Sequence, residues 1–259
     1  MTDLLQTARP FLTGGGRIDG LASGGLRLTI PAMPGGYADA QLDDTQGLPR
    51  ARFLWRPPLR LAVRARVDPR DPLGTWGFGF WNDPFALSLG LGGAARRTPC
   101  APRAVWFFHA SPPNAFGFTS GPTCGWRAMT IDTPAVPAWV LTPAALGALA
   151  LAQLPALRRP ILRYAISRVT ASEAVLGTST DEVHEYVIEW ERGSATLCVD
   201  GRPVLRAPRP PTAPLGFVAW IDNQYAVARP ESGVRFGVLP TPCPQSLDIL
   251  SAEITPGAA

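Results

Sequence analysis

The sequence predicts an all-β chain folded as a two-sheet antiparallel sandwich. Short apolar runs with period-two alternation recur along the 259 residues. The 29 Pro and 26 Gly fall between these runs, where a sandwich needs turns. Hydrophobic residues make up 46% of the chain and charged residues 17%, enough apolar material for a sizeable core and too much for a disordered chain.

The strands follow in order. Leu26–Ile30 alternates apolar and polar residues, and so does Tyr37–Asp43. In the latter Ala38, Ala40 and Leu42 share one face; Tyr37, Asp39, Gln41 and Asp43 share the other. Leu59–Val67 puts Leu61, Val63, Ala65 and Val67 opposite Arg64 and Arg66. Further runs are Trp76–Asn82, Ala104–Ala110, Arg127–Ile131, His184–Trp190, Ala195–Val199, Gly216–Asp222, Gly233–Val238 and Leu247–Ile254. Val199–Gly201 reads VDG between two such runs, the composition of a tight hairpin turn.

Thr142–Val169 differs. It is rich in Leu, Ala and Arg, with Thr142 as a helix N-cap and Pro143 in the first turn. Pro155 and Pro160 interrupt it, which predicts two short helices covering a sheet face or forming a lid over a cleft. No linker divides the chain, so residues 1–259 are expected to form a single domain carrying this helical insertion at about 142–169.

Composition excludes several classes. No apolar run reaches the ~18 residues of a membrane span. All 24 basic residues are Arg, but they are dispersed rather than gathered into a stripe, so no nucleic-acid partner is expected despite the +4 charge. Cys100, Cys124, Cys198 and Cys243 show no CxxC or Cys/His spacing, so no zinc site is expected; no cofactor is expected, and bound calcium is left open. The N-terminal segment lacks a basic region followed by a continuous apolar run, which leads to the expectation of a cytoplasmic protein with reduced thiols. Thr13–Gly16 reads TGGG without the Lys and helix of a phosphate loop. The oligomeric state is left open.

HEYVIEW at His184–Trp190, LCVDGRPV at Leu197–Val204, the run RLAVRARV leading into LGTWGFGFW, and SLDILSAEI together resemble the concanavalin A-like lectin/glucanase superfamily, glycoside hydrolase family 16 in particular. The resemblance implies a jelly roll of two large antiparallel sheets, one of them lining a cleft. It also implies a Glu-x-Asp-x-x-Glu strand, whose alternation aligns two carboxylates for retaining hydrolysis. The corresponding strand here, AVWFFHASPPN at Ala104–Asn114, has no carboxylate, and the motif occurs nowhere else. The usual mechanism therefore does not transfer.

The candidate site residues are aromatic and polar. Trp76, Phe80, Trp81, Trp106, Phe108, Trp126, Trp220 and Tyr225 lie on strands expected near the cleft, and alternation makes about half of them core. Asn82 and Asp83 in WNDPF, and Asp222 and Asn223 in WIDNQY, sit beside aromatics at strand ends. They serve either as ligand contacts or as turn residues bonding their own backbone. His109 is a candidate base, on one face with Ser111 if the strand continues. His184 is expected to be structural. Asp39, Asp43, Asp83 and Asp222 are the carboxylates from which an acid/base pair could be drawn; Asp39 and Asp43 would alternatively face solvent on an edge strand. Two functions follow, beside a third reading as a structural or interaction module with no small ligand. One is a carbohydrate-binding or carbohydrate-active protein with a non-standard cleft, glycoside hydrolase-like if an enzyme. The other is an enzyme or carrier for an apolar small molecule in a cleft covered by the insertion.

Overall fold

The computed structural model describes residues 1–84, 100–116, 124–133, 155–229 and 233–257. Two large antiparallel sheets face each other, as in a jelly-roll sandwich. In spatial order the first runs β14 (Arg202–Pro208), β13 (Ser194–Val199), β12 (His184–Trp190), β6 (Leu59–Asp68), β18 (Gln245–Pro256), β4 (Leu26–Ile30) and β3 (Arg17–Gly20), with β1 (Thr2–Asp3) also on β18. The second runs β11 (Thr170–Val175), β10 (Gly125–Asp132), β8 (Ala104–Ala110), β7 (Thr75–Trp81), β15 (Gly216–Asp222), β5 (Asp39–Asp43) and β2 (Arg9–Thr13). A small third sheet joins β17 (Gly233–Val238), β16 (Gln224–Arg229) and β9 (Ala115–Phe116). Among the described residues the α-helices are α1 (Leu4–Thr7) and α2 (Pro155–Ser167).

Alternation builds the core. On β6, Leu59, Leu61, Val63, Ala65 and Val67 are buried while Arg64 and Arg66 face out. Opposite them β7 contributes Trp76, Phe78 and Phe80, and β15 contributes Phe217, Ala219 and Ile221. The sheets meet through rings: Phe78 on Tyr186 at 5.2 Å, Phe80 on Trp190 at 5.3 Å and Trp126 on Tyr186 at 5.5 Å, while Trp76 stacks on Trp126 of its own sheet at 4.1 Å. Each such ring pair adds about 1 kcal/mol beyond area burial. The Trp190 indole also donates to the Pro211 carbonyl at 2.9 Å, so its polar edge is satisfied.

The His-x-Tyr and Val-Asp-Gly segments are coupled physically. Asp200 and Gly201 form the β13–β14 turn with φ of 48° and 74°, the left-handed pair of a type I′ hairpin. The Asp200 carboxylate then reaches back to β12, contacting His184 Nδ1 at 2.6 Å and accepting from the Glu185 amide at 2.9 Å. His184 thus serves the hairpin.

Two expectations change. The break at Pro160 does not occur, since α2 runs unbroken from Pro155 to Ser167. Pro155 stands at the helix start, where its missing N–H has no intrahelical partner to lose, and Pro160 removes a single bond. Thr142 and Pro143 lie outside the described residues. Asp39 and Asp43 are not solvent-facing: β2 covers the outer edge of β5, and both carboxylates are buried. The strand β2 itself escaped the alternation pattern because it carries Pro10, which an edge strand tolerates.

On β7, Gly77 and Gly79 alternate with the core aromatics and leave two gaps on the outer face of the second sheet. A Cβ at Gly79 would lie 2.6 Å from the Trp106 Cα, and the residue has φ of +145°. Gly79→Ala should therefore cost about 3 kcal/mol, lowering the thermal midpoint by roughly 6–12 °C. Gly20→Ala, whose added Cβ meets nothing within 4 Å, should change stability by under about 0.5 kcal/mol. Equal midpoints for the two variants would remove the packing role assigned to Gly79.

Candidate functional site

The outer face of the second sheet collects the residues that β5, β15, β7, β8 and β10 turn away from the core. Register aligns them in rows. One row runs Gln41, Trp220, Gly77, Phe108, Arg127; the next runs Asp43, Val218, Gly79, Trp106, Met129; a third, at the sheet's end, runs Asp39, Asp222, Thr75, Ala110. Gly77 lies between Trp220 and Phe108 in the first row and Gly79 between Val218 and Trp106 in the second, so the rings spread over the two glycines. Trp106 stacks on Phe108 at 5.3 Å and meets Trp220 at 5.3 Å, and Phe108 meets Trp220 at 5.9 Å. Trp81 lies nearly parallel to Trp220, with 6.3 Å between centroids and 7° between planes. The result is a continuous aromatic platform.

A polar cluster adjoins it. Asp39 and Asp222 are direct cross-strand neighbours, 3% and 2% exposed. Asp222 Oδ1 accepts from the Thr75 hydroxyl at 2.8 Å and from the Gln224 amide at 3.2 Å; Oδ2 accepts from Gln224 Nε2 at 2.7 Å. The Trp220 indole donates to the same Thr75 hydroxyl at 3.0 Å, linking platform to carboxyl. Asp39 is hydrogen-bonded by Tyr37, and its Oδ1 is buried with no partner among the described residues. Burial pushes Asp222 up to about 7, against the pull of its Thr75 and Gln224 bonds. Burial, then the neighbouring Asp222 and Asp43, raise Asp39 well above the usual carboxylate range. Asp43 is occupied by its own loop, accepting from Thr45 and Gln46.

Other candidates lie elsewhere. Trp76, Phe80 and Trp126 face the inter-sheet core. So does His109, which stacks on Trp76 at 5.4 Å on the side of the sheet away from Asp222. Burial pushes its imidazole down to about 4, so it is neutral near pH 7. Strand β8 ends at Ala110, and the Ser111 hydroxyl serves the Gly74 amide at 2.8 Å rather than His109. Asp83 lies beyond the opposite end of β7 from Asp222, about 20 Å of strand away. Asn82 and Asn223 are taken by backbone: Asn82 by Ala101 and Arg103, Asn223 by Ala38, Gly36 and Leu239. Tyr225 belongs to the small third sheet. Trp81, Trp106, Phe108, Trp220 and Asp222 are therefore the candidates that share one face, with Asp39 and the loop-bonded Asp43.

Some site residues carried no signal of their own. Thr75, Gln224 and Tyr37 matter only through their contacts with the two carboxyls. Arg127 reads as an ordinary strand residue, yet it is 1% exposed beside Phe108, pairing with Glu173 at 3.3 Å and donating to the Cys124 carbonyl at 2.9 Å. No cluster of His, Cys, Asp and Glu able to hold a metal ion is found among the described residues.

No protein-family model matches the chain, and no curated protein matches it. Solved structures align with it at low identity. One is a structure from work on endo-acting O-glycanases that human gut microbiota express to initiate mucin breakdown, at TM-score 0.50 and 9% identity, covering 95% of this chain and 85% of that one. LamA from Z. galactanivorans, solved with laminaritriose and laminaritetraose, aligns at 0.48 and 12% identity over 90% of this chain and 79% of that one. The Crh5 transglycosylase in complex with NAG aligns at 0.48 and 12% identity over 98% and 80%. The chain spans 17% of the length of a sialidase that it also matches. At such identities the likeness is one of fold.

The shifted groups give opposite pH signatures. Asp222 is raised on folding, so its contribution is full below its unfolded value near 3.8 and is lost as pH rises through about 7. His109 is lowered, so its contribution is full above 6.5 and is lost as pH falls toward about 4. Thermal midpoints should show the wild type losing stability relative to Asp222→Asn as pH rises from 4 through 7. Relative to His109→Gln, the wild type should gain over pH 4 to 6.5. Parallel curves in either comparison would contradict the burial described for that residue.

Proposed function

We propose that the chain is a carbohydrate-active protein built on a sandwich of the glycoside hydrolase family 16 type, with its ligand on the outer face of the second sheet. One observation carries this reading: an aromatic platform and a pair of carboxyls share that face in adjoining rows. Sugar rings present apolar C–H faces that stack on Trp106, Phe108 and Trp220, while their hydroxyls need the hydrogen-bonding groups that Asp39, Asp222 and Gln41 supply.

The same pair handles the proton. Directly opposed residues have Cβ atoms about 5 Å apart, close to the ~5–5.5 Å carboxyl separation of retaining hydrolysis. Asp222, held by four donated hydrogen bonds, gives up its proton first and acts as the base or nucleophile. Asp39 keeps its proton longer and donates it to the leaving oxygen. In this reading the pair on β5 and β15 replaces the carboxylates absent from β8.

A glycan array followed by hydrolysis assays of the retained oligosaccharide tests the proposal. Trp106→Ala should weaken binding about tenfold, the equivalent of ~1.4 kcal/mol. Asp222→Asn should abolish turnover while holding affinity within about threefold. Unchanged binding in both Trp106→Ala and Trp220→Phe would remove this face from the site.

The depth of the face supports a second reading, an enclosed apolar molecule. Trp220 is 7% exposed, and Met129 and Ile131 are 3% exposed each. Native mass spectrometry of protein from its own host separates the two: a retained apolar metabolite favours enclosure and contradicts the glycan, and an empty protein favours the glycan.

A further inference from the structure

The outward side of α2 carries positive charge with nothing to balance it. Arg is dispersed along most of the chain, yet Arg158, Arg159, Arg163 and Arg168 follow one another closely, and no Asp or Glu occurs from 133 to 172. The carboxylates that bound this stretch are engaged elsewhere: Asp132 pairs with Arg103 at 3.0 Å and Glu173 with Arg127 at 3.3 Å. Among the described side chains of the helix, Ala156, Arg159, Pro160, Arg163, Tyr164 and Ser167 are exposed, the spacing of one face at 3.6 residues per turn. Arg159 and Arg163 are therefore one turn apart, about 6 Å along the axis. Neither has an acidic partner among the described residues.

We propose that this face of α2 binds the anionic groups, carboxylate or sulfate, of an acidic glycan held at the outer face of the second sheet. The inference rests on the glycan reading of that face and adds the class of glycan. Position carries the link. Val169, two residues past the helix, packs with Trp81 and Trp106 against Ala104, Met129 and Ile131. Met129 stands in the Trp106 row, so the helix ends beside the aromatic platform.

Chemistry selects the occupant. A guanidinium presents paired N–H donors that match two oxygens of a carboxylate or a sulfate. Tyr164, next to Arg163 on the same face, is 69% exposed, an aromatic plane with no core to cover. A sugar ring's C–H face stacks on such a plane while its charged group meets the guanidinium. The exposed residues include no Leu, Ile, Val, Met, Phe or Trp, so the face offers no large aliphatic group to bury at the acyl boundary of a bilayer. A hydrated polyanion therefore suits it better than a membrane surface.

Titration calorimetry with an oligogalacturonate, a sulfated dextran oligosaccharide and unmodified dextran of matched length tests the proposal at low and at physiological salt. At least one acidic probe should bind about fivefold more tightly than dextran, and the preference should shrink as salt rises. Which acidic probe binds identifies carboxylate or sulfate as the recognised group. The double variant Arg159→Gln/Arg163→Gln should weaken the acidic probe about fivefold and leave dextran unchanged. Its thermal midpoint should stay within about 2 °C of the wild type, since both side chains are exposed. Trp106→Ala should weaken acidic and neutral probes alike. The proposal is overturned if neither acidic probe binds more tightly than dextran, or if the double variant leaves acidic binding untouched; the platform stands in both cases. Weakening in the double variant without any effect of Trp106→Ala would support the anion site on α2 and contradict the platform, so the two readings fail separately. Tighter binding to phosphatidylglycerol vesicles or to a DNA oligonucleotide than to either acidic probe also overturns the proposal.

Discussion

The structure depends on what strand β7 does with its two faces. Trp76, Phe78 and Phe80 point inward, and the two phenylalanines lock the second sheet onto Tyr186 and Trp190 of the first. Gly77 and Gly79 point outward and present no side chain at all. Rings from both neighbouring strands fill that space, Trp220 from β15 and Trp106 and Phe108 from β8. A Cβ at Gly77 would meet the Phe107 carbonyl and stand 3.0 Å from Trp220. Core packing and platform therefore follow from one alternating pattern.

The polar end of the face follows from register. Antiparallel pairing sets Asp39 of β5 against Asp222 of β15, where burial keeps both carboxyls protonated further up the pH scale than is usual. Different hydrogen-bond supplies then separate the two. Asp222 has Thr75 and Gln224; Asp39 has Tyr37 and one unmet oxygen. Inequality between neighbours of one chemical type is what distinguishes an acid from a base.

Much of this was legible in the sequence because the side-chain period of a strand is two. Leu26–Ile30, Ala104–Ala110, His184–Trp190, Gly216–Asp222 and Gly233–Val238 have the bounds that alternation assigns them. Alternation also separates Ala40 and Leu42 from Asp39 and Asp43. It does not say which strand lies beside which, so the pairing of Asp39 with Asp222 is invisible until β5 and β15 are neighbours. Nor does it show where a polar side chain spends its hydrogen bonds. Asn223 reads like a ligand contact next to Trp220 and Asp222, yet its amide bonds the backbone of Gly36, Ala38 and Leu239. His109 was conspicuous by residue type, and its position in the strand turns it toward Trp76 and the space between the sheets.

The most direct test of the account is a crystal structure of the protein soaked with the oligosaccharide it retains most strongly on a glycan array. The account predicts a sugar ring lying over Trp106, Phe108 and Trp220, with hydroxyl or glycosidic oxygens within hydrogen-bond distance of Asp39 and Asp222. A saccharide seated away from the outer face of the second sheet, or an array on which nothing is retained, would contradict it.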